Sequence, residues 1–297
     1  MTATKTTNAI KTPGPQTFTI VEAPLRDDTP IIDAALVERW LTDFLRDELI
    51  RRRDIHNAVV GVSGGVDSAV VAYLCARALG PEHVLGVRMP YRTSSSESFE
   101  HGGLVIERTG INDRVIDISD AVDGYLKNEP EASPLRRGNV MARARMIALF
   151  DQSAKIDGLP IGTGNKTERM FGYFTWHGDD SPPINPIGDL FKTQVWALAR
   201  HLGVPSEIVE KPATADLIRG QTDEEDLGIT YERADRILNR LLMGYTIADI
   251  IAAGYPQAVV ELVKRRVDST HWKRHLATTA LLSTTAINEF YLRPVDY

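Results

Sequence analysis

The chain has 297 residues, 43% of them hydrophobic and 25% charged, which suits one large α/β domain or two small ones. Its 34 basic and 40 acidic side chains leave a net charge of −6, which weighs mildly against a nucleic-acid backbone as the main partner while leaving room for a local basic patch. The lone Cys75 excludes an intrachain disulfide and a cysteine-rich zinc site, and no apolar run approaches the ~20 residues that cross a bilayer, so a soluble, cytoplasmic protein without a membrane partner is expected.

Residues 1–28 are rich in Thr, Pro and Lys without a helical period and are expected to form a flexible or draped extension, leaving 29–297 as a single domain. An amphipathic helix is predicted over 32–50, with Leu36, Trp40, Leu41, Phe44, Leu45 and Leu49 on one stripe. Strand-like runs follow at Ala58–Val62, Val84–Met89, Arg114–Ile118 and Leu159–Gly162. Helical periods lie at 66–79, 94–109, 139–156 and 191–202. This alternation predicts βαβ units in a doubly wound parallel sheet. Beyond about residue 205 the chain turns helical and loop-rich, and this part is expected to decorate the same domain. The closing stretch "AINEFYLRPVDY" reads as a docked terminal segment.

Between the first strand and the next helix stands "GVSGGVDS", Gly61 to Ser68. Gly64 and Gly65 permit φ > 0 and leave no side chain in a ligand's way, and the following helix presents free N–H groups at its start. Ser63 and Ser68 add hydroxyl donors. Neither the lysine of the GxxxxGK[ST] loop nor a G-x-G-x-x-G pattern is present. Asp67 would repel a phosphate unless a metal ion lay between them. The stretch therefore reads as a pyrophosphate cradle made of backbone, hydroxyls and a magnesium-bridging aspartate, against the plainer reading of a capped β-to-α turn.

SGGVDS placed between strand and helix resembles the signature of the N-type ATP pyrophosphatases, an adenine nucleotide alpha hydrolase-like fold family. The stretches "GNVMARARM", "IGTGNKTERMFGYFT", "HGDDSPPINPIGDLFKTQVWALARHLGVP" and "KPATADLIRGQTDEEDLG" follow in the order found in bacterial and archaeal NAD synthetases, and the likeness spans roughly residues 32–275. The resemblance implies an ATP-dependent ligase forming a C–N bond: deamido-NAD is adenylated by ATP, then amidated by ammonia. It implies Gly61, Val62, Ser63, Gly64, Gly65, Val66, Asp67, Ser68, Thr163, Lys192 and Thr214 as ATP contacts, and Asp67 and Glu168 as magnesium ligands. It further implies Arg143, His271 and Lys273 toward deamido-NAD, Asp179 handling ammonia, and a homodimer with the substrate at the interface. The helix at 32–50 offers a stripe for that contact. Lys192 is expected to supply the positive charge missing from the glycine loop, the alternative being a solvated helix lysine.

Some members carry a lysine before the Gly-Asp pair and an aspartate after it, where this chain has Trp176 and Pro183. "HWKRH" at 271–275 interrupts the usual His-Lys-Arg run, and Asp180 stands as a second acid beside Asp179. The run "TDEEDLG" reads either as a solvated acidic loop or as a lid over ATP. Cys75 reads as a packing residue rather than a glutaminase nucleophile, so free ammonia is the expected nitrogen donor. Two rivals remain: another adenylating enzyme, such as a sulfur transferase or tRNA-modifying enzyme, and a nucleotide-binding regulator without turnover.

Overall fold

The computed structural model describes residues 30–214, 222–275, 278–283 and 285. The expected extension over 1–28 and the closing segment lie outside these residues. Strand β1 (Asn57–Gly61) buries Ala58, Val59 and Val60 completely, as a central strand flanked on both edges and both faces must. It pairs in parallel with β2 (Val84–Arg88) on one side and β4 (Gly158–Ile161) on the other, and β3 (Asn112–Val115) adds in parallel to β2. The order is β3-β2-β1-β4, so the chain winds outward from β1 and then returns across it. That reversal between β1 and β4 opens a crevice at their carboxyl ends, where ligands bind in doubly wound sheets. A single parallel bridge from Ile161 to Ile184 extends the edge beyond β4.

Helix α1 (Ala34–Arg46) is capped by Asp33 and runs on as a π-turn, Asp47–Arg51. Its predicted stripe divides: Leu45 and Leu49 are fully buried and Leu41 packs against the same core, whereas Trp40 is 67% exposed, with Leu36 and Phe44 also outward. The helices α2 (Val66–Leu79) and α3 (Ser96–Thr109) form the first two crossovers. A short α4 (Ser119–Leu126) and the long α5 (Pro134–Lys155) carry the chain back to β4. α5 packs on β1 and β4, while α1 and α2 pack with α7 (Lys192–Leu202), consistent with right-handed crossovers on opposite faces of the sheet.

The third strand lies at 112–115 rather than 114–118, and its residues are all exposed. The apolar Ile116 and Ile118, which suggest the later placement, instead bond to Arg88 O and Pro90 O beyond the ladder. α5 begins at Pro134, earlier than its apolar period, because Ser133 caps it and proline fits the first turn.

After α6 (Lys166–Phe171) and α7, the chain continues through α8 (Ser206–Val209), α9 (Asp223–Leu227), α10 (Tyr231–Leu242), α11 (Ile247–Ala252) and α12 (Gln257–Ser269), ending in a 3-10 turn, His271–Arg274. These helices build a second apolar cluster around Tyr231, Ile237, Leu238, Ile250, Val260 and Val263, and close it on Phe171 and Phe191. The helical decoration thus clamps the two elements, α6 and α7, that bring acid and base to the crevice. Among the described residues no helix is long and apolar enough to cross a membrane.

Candidate active site

The crevice is a cavity of about 790 Å³, within the usual range for small-molecule sites. Its floor is the glycine loop. Only Gly64 of the pair uses a left-handed conformation, φ +82, and a Cβ there would lie 2.1 Å from Ser98 O. Gly65 has φ −91 and caps α2 from ordinary extended space. The serines knit the loop together: Ser63 N donates to Ser68 Oγ (3.2 Å), Ser68 Oγ donates to Gly65 O (2.9 Å) and Gly65 N donates to Ser63 Oγ (3.2 Å). Ser68, 2% exposed, therefore shapes the cradle more than it offers a donor to a ligand. Gly64→Ala is expected to destabilise the fold by about 1–3 kcal/mol from backbone strain alone, with the clash on Ser98 in addition. Gly65→Ala, whose Cβ would meet nothing nearer than Ser63 Oγ at 3.4 Å, should melt near the wild type. Equal thermal melts for the two variants would contradict this geometry.

Asp67, in the first turn of α2, faces Glu168 of α6 and Lys192 at the start of α7. Asp67 Oδ2 accepts from Lys192 Nζ in a short ion pair, and Glu168 Oε1 lies 3.7 Å from the same ammonium. Asn165 joins the two acids: its Nδ2 donates to Asp67 Oδ1 (2.9 Å), and it caps α6 in a reciprocal box with Glu168. Sequence reasoning passed over Asn165, although N-x-x-E before a helix is a legible capping signal.

Lys192 is 2% exposed, so it is no solvated helix lysine. Its backbone N–H donates to Thr167 Oγ1 (3.0 Å), and that hydroxyl donates to Asp235 Oδ1 (2.6 Å), anchoring α6 and α7 to α10. Burial alone would lower the lysine's pKa, but the charges of Asp67 and Glu168 outweigh it and hold the ammonium protonated. Burial, then the neighbouring charge of Asp67, pushes Glu168 up to about 8. Two carboxylates that repel each other beside a cavity suit a hard divalent cation, which favours one or two carboxylates plus phosphate oxygens. The donor set fits magnesium.

Of the other expected contacts, Thr163 and Thr214 line the cavity, as do Asp179 and Lys273. Asp179 lies exposed in the 175–180 loop and accepts from Thr175 N (2.7 Å). Lys273 donates to the carbonyls of Gly172 and Phe174 and sits over the Phe174 ring, so it pins the backbone that leads into that loop. Arg143 is exposed and donates to Trp176 O through Nε and Nη2 (3.3 and 3.2 Å); Arg145, two residues on, lines the cavity instead. His271 is exposed on the closing turn, outside the lining set. Trp176 stacks on His177 and meets Trp272 edge-on.

Over 222–227 the acidic run forms a capped helix: Thr222 caps α9, Glu225 and Asp226 are exposed, and Asp223, 5% exposed, accepts from Tyr231 and Tyr173 hydroxyls (3.1 and 3.2 Å) at the cavity wall. Residues 215–221, which precede it, lie outside the described residues. Cys75 is fully buried, and burial pushes its thiol up to about 12, as befits a packing residue.

A family model described as NAD synthase matches residues 37–277. The chain is 48% identical over 254 residues to the NH(3)-dependent NAD(+) synthetase of Chlorobaculum parvum, covering 85% of this chain and 91% of the relative. It is 47% identical to the enzyme of that name from Trichlorobacter lovleyi, covering 90% and 97%. Among solved structures, an NMN synthetase from Francisella tularensis superposes with a TM-score of 0.75 at 29% identity, covering 84% and 99%. The NH3-dependent NAD synthetase from Campylobacter jejuni gives 0.73 at 28%, covering 84% and 100%. The chain belongs to the NAD synthase family.

Proposed function

We propose that this chain is an ammonia-dependent ligase that makes NAD from deamido-NAD, ATP and ammonia, releasing AMP and pyrophosphate. The observation that carries the reading is the meeting, at one cavity of a chain in this family, of the glycine loop with the Asp67–Lys192–Glu168 cluster. The nicotinate carboxylate of deamido-NAD forms a bond to the α-phosphorus as the bridging P–O bond to the β-phosphate breaks. Ammonia then adds to the activated carbonyl carbon, the C–O bond to AMP breaks and a proton leaves nitrogen.

The protein's part is alignment and charge. The loop from Gly61 to Ser68 offers backbone N–H groups to the phosphates, and Thr163 and Thr214 flank them across the cavity. Asp67 and Glu168 are the residues to hold magnesium, which when bound would offset phosphate charge in the transition state. Lys192 keeps those two carboxylates together and adds a fixed cation beneath the reacting phosphate. Asp179, fixed by the Thr175 N–H at the cavity rim, accepts a hydrogen bond from ammonium and receives its proton.

Residues 29–297 act as one unit on this reading, since sheet loops and C-terminal segments share the cavity lining. Leu135 and Phe150 of α5 line the cavity and are themselves exposed, and Ile147 between them is 65% exposed, which supports a homodimer closing over the site from the α5 side. The enzyme acts in the cytoplasm.

Incubating the protein with ATP, magnesium, ammonium and deamido-NAD should yield NAD, AMP and pyrophosphate in equal amounts. Because one protein of this fold is an NMN synthetase, nicotinate mononucleotide belongs in a parallel arm. Amidation of the mononucleotide alone would replace the acceptor but keep the chemistry, and no AMP with either acceptor would overturn the reading. Asp179→Asn is expected to slow amide formation at least tenfold while adenylate accumulates, as quenched-flow analysis would detect. Loss of adenylation itself would refute the ammonia role.

A further inference from the structure

The missing lysine of the glycine loop has a second answer besides Lys192. The charge of Lys192 is already engaged, since Asp67 and Glu168 both face its ammonium and Asp223 lies on the same wall. The floor of the cavity is thus acidic on balance, whereas ATP brings about four negative charges. Other cations lining the cavity are also committed. Arg88 pairs with Asp113 (2.5 Å), Lys273 is held on two backbone carbonyls, and Arg145 donates to Met89 O (3.2 Å).

Lys211 differs. It lines the cavity with its side chain 13% exposed, and its ammonium rests 3.0 Å from Ser98 Oγ and 3.4 Å from Glu97 Oε2. Ser98 is the residue whose carbonyl lies against Gly64, so the lysine stands one residue's breadth from the cradle, joined to it through Ser98. Among the described residues its carboxylate partner is Glu97, whose side chain is 61% exposed, and such solvent-screened pairs hold a lysine weakly. A charge-assisted bond to phosphate is stronger than such an exposed pair, and the flexible four-carbon stem of lysine lets the head group change partners.

We propose that Lys211 is a further substrate-contacting residue: its ammonium leaves Glu97 and Ser98 to donate to the β- and γ-phosphates of ATP, and it holds the departing pyrophosphate. It would approach from the α3 side of the glycine loop, with the Asp67–Lys192–Glu168 cluster on the other. The proposal rests on the reading above only in taking ATP as the phosphate donor.

The test is calorimetric titration of the full chain with inorganic pyrophosphate and with ATP, for wild type, Lys211→Met and Lys211→Arg. Lys211→Met should weaken pyrophosphate about 10- to 100-fold, the fold-change expected for one lost charge-assisted bond. ATP should weaken in parallel, the KM for deamido-NAD should stay within about twofold, and Lys211→Arg should recover part of the affinity. Should Lys211→Met fail to fold, Lys211→Gln gives the same readout. Unchanged pyrophosphate affinity in a folded variant overturns the proposal, and so does equal weakening of ATP and deamido-NAD. Wild-type protein that binds pyrophosphate but makes no NAD would instead count against the ligase reading alone.

Discussion

Asp67→Asn is expected to slow adenylation of deamido-NAD by about a thousandfold or more, an increase of about 4 kcal/mol in the barrier, while the protein stays folded with a lowered melting temperature. The catalytic loss follows from charge. Asn removes one of two carboxylates able to hold a divalent cation against phosphate, and no other acid in the glycine loop can replace it. The fold survives because the neighbours keep partners, at the cost of the Lys192 pair. Asn165 Nδ2 donates to Asp67 Oδ1 (2.9 Å), a bond an amide oxygen still accepts, but the amide NH2 then faces Lys192 Nζ where Asp67 Oδ2 accepted. Lys192 keeps Glu168 at 3.7 Å. Part of what raises the Glu168 pKa is the charge of Asp67, so removing that charge lowers it and leaves Glu168 more fully ionised at neutral pH to pair with the lysine. Pyrophosphate release under saturating ATP and magnesium, measured beside a thermal melt, checks both halves. Near-normal turnover would remove Asp67 from the metal role, and a collapsed melt would show that the residue is chiefly structural.

The parallel sheet was legible because buried strands read as short apolar runs punctuated by glycine, and β1 with Val59 and Val60 is the clearest case. β3 was displaced by two residues because an edge strand with every side chain exposed carries no apolar signal, while the isoleucines after it do. α4 went unread for a related reason: Ser119 to Leu126 is short and apolar on a narrow face. The chemistry of the loop was legible down to its missing lysine, because glycine, serine and aspartate each have few reasons to stand at a strand-to-helix turn.

What could not be read was anything set by distant pairing. Thr167 and Asp235 are 68 residues apart, and their 2.6 Å bond is what turns α6 and α7 so that Glu168 and Lys192 face Asp67. Lysine at the first position of a helix reads as a surface residue by every local rule. Only the closure of α10 over it, with Tyr231 fully buried and its ring 5.2 Å from the ammonium, makes it a core residue. The same holds for Asp223. In sequence it is one acid among four, and burial against two tyrosines separates it from the rest.

Lys192→Met should uncover this dependence most sharply. The substitution nearly preserves volume but leaves Asp67 and Glu168 facing each other in a site 16% and 19% exposed, without the cation between them. Breaking a buried pair in this way costs about 3–5 kcal/mol of stability, and loss of the fixed cation should lower NAD formation by about a hundredfold or more. The stability loss carries a pH signature. Glu168 is already raised to about 8 in the wild type by burial and Asp67, and the lysine is among the groups holding it down. In the variant its folded pKa rises further above the unfolded value. A carboxyl raised on folding stabilises the fold below its unfolded pKa, and that contribution disappears as pH climbs through the folded value. The variant's deficit should therefore be smallest at pH 5, where both proteins keep Glu168 protonated, and widen by about pH 9, where wild-type Glu168 ionises and the variant's does not. Magnesium, which takes the place of the missing charge between the carboxylates, should recover stability at about pH 9 and do little at pH 5. Thermal melts at the two pH values, with and without magnesium, read this directly. A deficit that ignores both pH and magnesium would mean that Lys192 is a packing residue whose charge the fold does not use.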